Sequence, residues 1–124
     1  MHPRTVALLT VCVLAGSWSA SAHHSHGNYD MQKYTNLKGT IKEVHWMNPH
    51  SWVYLEVPDD KGGEPIMWAL EGASVTQLQR RGWDKEKLKP GDRIAVRCHQ
   101  LRDGSNGCLL GFITTADGEE KIFD

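Results

Sequence analysis

The fold is decided by the stretch LKGTIKEVHWMNPHSWVYLEV, residues 37–57. Its last seven residues, SWVYLEV, alternate between apolar and polar side chains, which is the period of a half-buried strand. Its first ten residues, LKGTIKEVHW, also favour a strand, but their apolar residues change parity midway. One extra residue at Lys42 or Glu43, a β-bulge, would return Val44 to the face of Ile41. The stretch therefore predicts two strands, the first long and bulged, separated by the break at Asn-Pro.

Three further strands and one helix follow along the chain. The strands are IMWALE (66–71), RIAVRCH (93–99) and CLLGFIT (108–114). A short helix over residues 74–81 is predicted after the third strand, with Ser74 as its N-cap and Gly82 as the residue that ends it. Three strands, a helix and two strands are the order of a five-stranded Greek-key OB barrel. We therefore predict a mainly β fold, with a small OB-like barrel over residues 36–124; a plain meander capped by the helix is the alternative.

The first 22 residues have the pattern of a secretory signal peptide. A short basic start precedes the apolar run TVALLTVCVLAG, which is too short to span a bilayer. Ala20 and Ala22 form an A-x-A cleavage site, so cleavage would leave His23 as the first residue. Residues 23–35 would then form a flexible N-terminal arm. We predict a single-domain periplasmic or secreted protein with no membrane span after cleavage.

Charge and motif content exclude some classes of function. The chain has 14 basic and 15 acidic residues and no basic stripe, so nucleic acid is not expected as a partner. No catalytic set stands out either, because Ser51 is only the sequence neighbour of His50. The strand glutamates Glu43, Glu56 and Glu71 show no paired-carboxylate arrangement. We therefore do not predict an enzyme.

Cys98 and Cys108 are the two cysteines that would remain after cleavage. In an exported protein such a pair is typical of a disulfide. If Cys98 faces Cys108 across the last hairpin, the neighbouring facing pairs are apolar and share one side: Val96 with Leu110 and Ile94 with Phe112. This register predicts a disulfide; two buried free thiols or a thiolate metal site are the alternatives.

Six histidines would also remain: His23, His24, His26, His45, His50 and His99. Imidazole is the commonest protein ligand for late first-row metals. An N-terminal His23 would offer its free amine and its ring nitrogen to one ion, an arrangement suited to Cu(II). We predict His23, His24, His26 and His50 as metal ligands, with His45 and His99 as additional candidates. Copper is the first choice and zinc the second, and a solvated tail without metal is the alternative reading of the HHSH segment.

Trp52 and Tyr54 share the outward face of the second strand. Such an aromatic pair can stack on sugars or bases. It can also be covered by the N-terminal arm, which would bring the first histidines to the barrel. The alternative function is therefore a metal-free binding module that presents the Trp52/Tyr54 face to a small molecule or to another periplasmic protein.

Four short motifs carry a resemblance to a known family: a His-Ser start near Tyr-Asp, Asn-Pro-His, Trp-x-x-Glu and Pro-Gly-Asp. With these motifs the chain resembles a family of small exported bacterial proteins of unknown function. The resemblance implies a periplasmic single-domain protein of this shape, and it implies no activity. The motif positions in this sequence are His24, Ser25, Asp30, Asn48, Pro49, His50, Trp68 and Glu71.

Overall fold

The computed structural model describes residues 26–124, so the predicted signal peptide, His23 and His24 lie outside the described residues. A single 3-10 turn, His26–Asn28, precedes the regular elements. These are β1 (Thr35–His45), β2 (Trp52–Val57), β3 (Ile66–Glu71), α1 (Val75–Arg80), β4 (Arg93–Gln100), β5 (Gly107–Thr114) and β6 (Glu120–Ile122).

Five of the strands close into a barrel in the order β3-β2-β1-β4-β5. Closure comes from a parallel pairing between β3 and β5, in which Ala69, Leu70 and Glu71 face Gly107, Cys108 and Leu109. The predicted OB-like Greek-key barrel, with its single helix between the third and fourth strands, is therefore confirmed. The structure adds β6, a short strand that pairs with β5 and was not predicted.

The bulge predicted in β1 is present at Lys42. Ile41 faces Leu55 of β2, whereas Glu43 already faces Tyr54, so Lys42 is the extra residue. The bulge restores the inward parity of the residues that follow, and Val44 packs against the core.

The predicted register of the last hairpin is wrong, because Cys98 faces Leu110 rather than Cys108, a shift of two residues, and because β5 contains a bulge. Arg97 faces Phe112 and Cys98 faces Leu110, which leaves Gly111 as the extra residue. The bulge reverses the parity of Phe112, so this ring lies outside the barrel, with the Arg97 guanidinium carbon 4.3 Å from its centroid. With both the two-residue shift and the bulge, none of the predicted pairs Cys98–Cys108, Val96–Leu110 and Ile94–Phe112 face each other; Val96 faces Ile113 instead.

The disulfide itself is formed as predicted. Cys108 faces Gln100, two positions along β4 from Cys98, so the two cysteines are diagonal neighbours rather than facing residues. Their Cα atoms are 5.6 Å apart, within the range of disulfides, and both side chains are fully buried. The predicted disulfide therefore forms between diagonal neighbours, although the sequence predicted that the two cysteines would face each other.

The core fills the barrel and extends below it to the chain's last residues. Phe123 is fully buried, and its ring packs against Trp83 with centroids 5.1 Å apart. The Trp83 ring N–H donates to the Ile122 carbonyl at 2.8 Å. α1 begins as predicted, because the Ser74 hydroxyl accepts the Gln77 N–H, and Gly82 follows its end with a positive φ of 86°. This helix, the β1–β2 loop and the final residues together build one end of the barrel.

Candidate functional site

Residues 26–34, here called the strap, lie against the barrel. The backbone N–H of Asp30 donates to the Gln100 carbonyl at 2.8 Å. The side chain of His99 also contacts the strap, because its Nδ1 lies 3.0 Å from the Asp30 carbonyl and 2.7 Å from the Lys33 carbonyl. The part of the predicted flexible arm that the structure describes is therefore attached to β4.

The strap buries a glutamate that strand parity places outside the barrel. Trp68 and Leu70 of β3 point into the core, so Glu71 points outward, yet it is only 5% exposed. Tyr29 of the strap covers it: the tyrosine is also 5% exposed, and its hydroxyl donates to Glu71 Oε2 at 2.5 Å. Burial, and then the hydrogen bond to Glu71, raise the pKa of Tyr29 well above its ordinary range.

The Asn-Pro-His loop between β1 and β2 brings His50 to the same glutamate. Ser51 is fully buried, and its hydroxyl contacts both the N–H and the carbonyl of Met47, at 3.2 and 3.3 Å. The Met47 carbonyl also accepts the Val75 N–H at 2.9 Å, which ties the loop to α1. The loop contains a cis peptide bond at Asn48–Pro49. His50 Nδ1 lies 3.4 Å from Glu71 Oε1, and its side chain is 42% exposed.

His26 and His50 line one cavity of about 370 Å³ at this end of the barrel. Asp124 contributes the third potential ligand to its wall, and Arg81 places a positive charge beside them. Of the four predicted ligands, His26 and His50 thus line the same cavity, while His23 and His24 lie outside the described residues. Within residues 26–124, no three His, Cys, Asp or Glu side chains are grouped closely enough to hold a metal ion.

Comparison with known proteins gives a family and no activity. Residues 10–110 match DUF6152, a family of unknown function. The chain belongs to the DUF6152 family. No curated protein and no solved structure matches this DUF6152 chain. In the part of the chain that the structure describes, no helix is long and apolar enough to cross a membrane.

The two additional histidine candidates of this DUF6152 protein lie away from the cavity. His45 is on the outer wall, where its Nε2 is 2.8 Å from Glu43 Oε2 and its ring packs edge-on to Tyr54. His99 contacts the strap carbonyls and stacks on Tyr34, with ring centroids 4.4 Å apart. Neither lines the wall that His26 and His50 share.

The aromatic pair Trp52 and Tyr54 lies on the outer face, half-buried, as the parity of β2 predicts. Tyr54 packs against His45 with centroids 5.1 Å apart. Trp52 faces Glu71 across the sheet, and Glu71 is the residue that the strap covers. The strap therefore reaches the border of the aromatic face.

Sequence reasoning missed two residues of this site. Tyr29 is an aromatic residue within an otherwise polar segment, and that contrast is the signal that it needs a place to be buried. Asp124 belongs to no motif and no predicted strand, so nothing in the sequence marked it. Glu71 was marked only by the family resemblance, and its role depends on Tyr29.

Proposed function

We propose that this DUF6152 protein is an exported, periplasmic metal-binding protein, with copper as the first choice of metal and zinc as the second. The site lies at the end of the barrel, with His26 and His50 as ligands and His23 and His24 completing the set. The observation that carries the proposal is that His26 and His50, far apart in sequence, line the same cavity.

The chemistry of the donors supports copper. Neutral imidazoles bind late first-row divalent ions, and Cu(II) binds such sites more tightly than zinc does. Cleavage after Ala22 would place the amine of His23 three residues before His26, which already lies on the cavity wall. Asp124 adds a carboxylate on the same wall, and its negative charge offsets the positive charge of Arg81. The proposed site thus combines nitrogen donors from the chain's start with one from the Asn-Pro-His loop.

Export is part of the same proposal. The signal-like first 22 residues and the Cys98–Cys108 disulfide both agree with an oxidising compartment outside the cytoplasm. Export also matters for the chemistry, because only cleavage after Ala22 creates the free amine at His23.

The proposal is tested by metal titration of the chain that starts at His23. We expect Cu(II) to bind with a Kd below about 10 μM, which corresponds to about −6.8 kcal/mol. His26→Ala and His50→Ala should each weaken binding about tenfold or more, because each removes one donor from the ion. His45→Ala is the matched control, since His45 is an exposed histidine on the outer wall, and it should leave the affinity unchanged.

Two results would contradict the proposal. One is the absence of Cu(II) or Zn(II) binding tighter than about 10 μM. The other is an equal loss of affinity in His45→Ala and His50→Ala, which would mean unspecific binding to surface imidazoles. Either result would favour the metal-free binding module that uses the Trp52/Tyr54 face.

A further inference from the structure

Glu71 stands between two side chains from distant parts of the chain. Its Oε2 accepts the Tyr29 hydroxyl at 2.5 Å, and its Oε1 lies 3.4 Å from His50 Nδ1. The side chain of Glu71 is 6% exposed, whereas that of His50 is 42% exposed. The inner nitrogen of the imidazole therefore meets a buried carboxylate, while the ring as a whole remains accessible.

The hydrogen-bonding capacities of these groups decide the tautomer of His50. An ionised carboxylate only accepts hydrogen bonds, and the Tyr29 hydroxyl already donates to one of its oxygens. The Nδ1–Oε1 distance of 3.4 Å is longer than an ordinary N–H···O hydrogen bond, but a lone pair on Nδ1 would repel the carboxylate, so the neutral tautomer that this contact favours carries its proton on Nδ1. With the proton on Nδ1, the lone pair of a neutral imidazole is on Nε2.

We propose that Glu71, held by Tyr29, is a positioning residue that keeps His50 as the Nδ1–H tautomer and so presents its Nε2 lone pair to a metal ion. The inference rests on the proposed metal-binding function and adds to it the ligating atom and the residues that orient it. A carboxylate behind a ligating histidine fixes the ring and increases its basicity, and loss of such a partner costs about 10–100-fold in metal affinity.

Tyr29 gives the arrangement a second consequence. Because it belongs to the strap, the hydrogen bond that orients Glu71 also fixes the segment that carries His26. One buried carboxylate thus links the two histidines that line the cavity. The orientation of His50 and the placement of the strap depend on each other.

The exposed pair of His45 and Glu43 provides a matched control within the same chain. There the carboxylate meets Nε2 rather than Nδ1, at 2.8 Å, and both side chains are largely exposed. By the same reasoning His45 should carry its proton on Nε2. The two histidine–glutamate pairs are therefore expected to show opposite tautomers.

The tautomers are measured by long-range ¹H–¹⁵N NMR of the histidine side chains in metal-free protein at mildly alkaline pH. We expect His50 to be protonated on Nδ1 and His45 on Nε2. In Glu71→Gln, Tyr29 should keep the amide oxygen, so the amide N–H₂ would donate to His50 Nδ1 and move the proton to Nε2. Cu(II) affinity should then fall about 10–100-fold, while Glu43→Gln should change neither His50 nor the affinity.

The tautomer measurement tests the positioning role of Glu71, and the Cu(II) titration tests the proposed metal-binding function on which that role rests. A wild-type His50 protonated on Nε2, or a His50 tautomer that is the same in wild type and Glu71→Gln, would overturn the positioning role whatever the metal does. The wild-type measurement needs no variant, so it holds even if Glu71→Gln fails to fold. The expected tautomer without any Cu(II) binding would overturn the proposed function, and with it the presentation of Nε2 to metal, but not the Glu71–His50 contact.

Discussion

The residue Tyr29 differs from the other two tyrosines in its burial and in its bond to Glu71. Tyr34 is 43% exposed and Tyr54 is half-buried, whereas Tyr29 is buried and bonded to Glu71. In an absorbance titration of the phenolate in native protein, we expect Tyr29 to resist ionisation beyond pH 10. The direction follows from its raised pKa, whose main cause is burial.

The same shift gives Tyr29 a pH-dependent share of the stability. Its folded-state pKa lies above the ordinary value of 10.0, so the folded protein holds this proton more tightly than the unfolded chain does. The contribution of Tyr29 to the free energy of unfolding is therefore complete below pH 10 and is lost as the pH rises further. Tyr29→Phe should remove the resistant phenol from the titration and make unfolding less dependent on alkaline pH. Ionisation of Tyr29 near the ordinary value of 10.0 in native protein would contradict this expectation.

Strand parity predicts which way a residue points but not what covers it. Glu71 follows the inward Trp68 and Leu70 with outward parity, and on that basis it reads as an exposed residue. Its burial comes from Tyr29, 42 positions earlier in the chain. Nothing local to either residue indicates this contact, and the orientation of His50 could not be predicted without it.

At the scale of elements, one bulge was readable from the sequence and the other was not. In β1 the apolar residues change parity, so a bulge was needed to explain them. In β5 the sequence CLLGFIT has apolar residues at both parities, so it fits a regular register as well as a bulged one. Gly111 absorbs the extra position, and the alternation alone carries no sign of it.

The disulfide between β4 and β5 is expected to stabilise the barrel measurably. It joins residues that are 10 positions apart, and the chain-entropy model gives about 2–3 kcal/mol for so short a loop. Denaturant unfolding of oxidised and reduced protein should differ in the free energy of unfolding by about this amount. The double variant Cys98→Ala/Cys108→Ala should unfold at the same denaturant concentration in both conditions, as the control.

A wild-type protein with the same unfolding midpoint under oxidising and reducing conditions would contradict that expectation. So would two free thiols detected by mass spectrometry in protein purified under non-reducing conditions. Because the bridge lies inside the barrel rather than in the His26–His50 cavity, its loss should affect stability more than metal affinity.

At the scale of the whole molecule, the order of the elements was enough to predict the barrel. Three strands, a capped helix and two strands fit the OB-like arrangement, and the parallel pairing of β3 with β5 closes it. The site was predictable only in part. Sequence reasoning placed His50 in the loop between the first two strands, but the strap that brings His26 to the same wall is fixed by bonds to β4, which are long-range contacts without a local pattern.

If the start of the cleaved chain and His50 together hold one metal ion, the position of the N-terminal amine should control the affinity for copper. Cu(II) is titrated into the chain that starts at His23 and into the same chain with one extra alanine before His23, and each complex is measured by electron paramagnetic resonance. The extension moves the amine away from the His23 ring but keeps every side chain. We predict at least about tenfold weaker binding, about 1.4 kcal/mol, and an altered spectrum for the extended chain. His50→Ala should weaken binding by the chain that starts at His23. Equal affinity and identical spectra for the two chains would contradict the prediction.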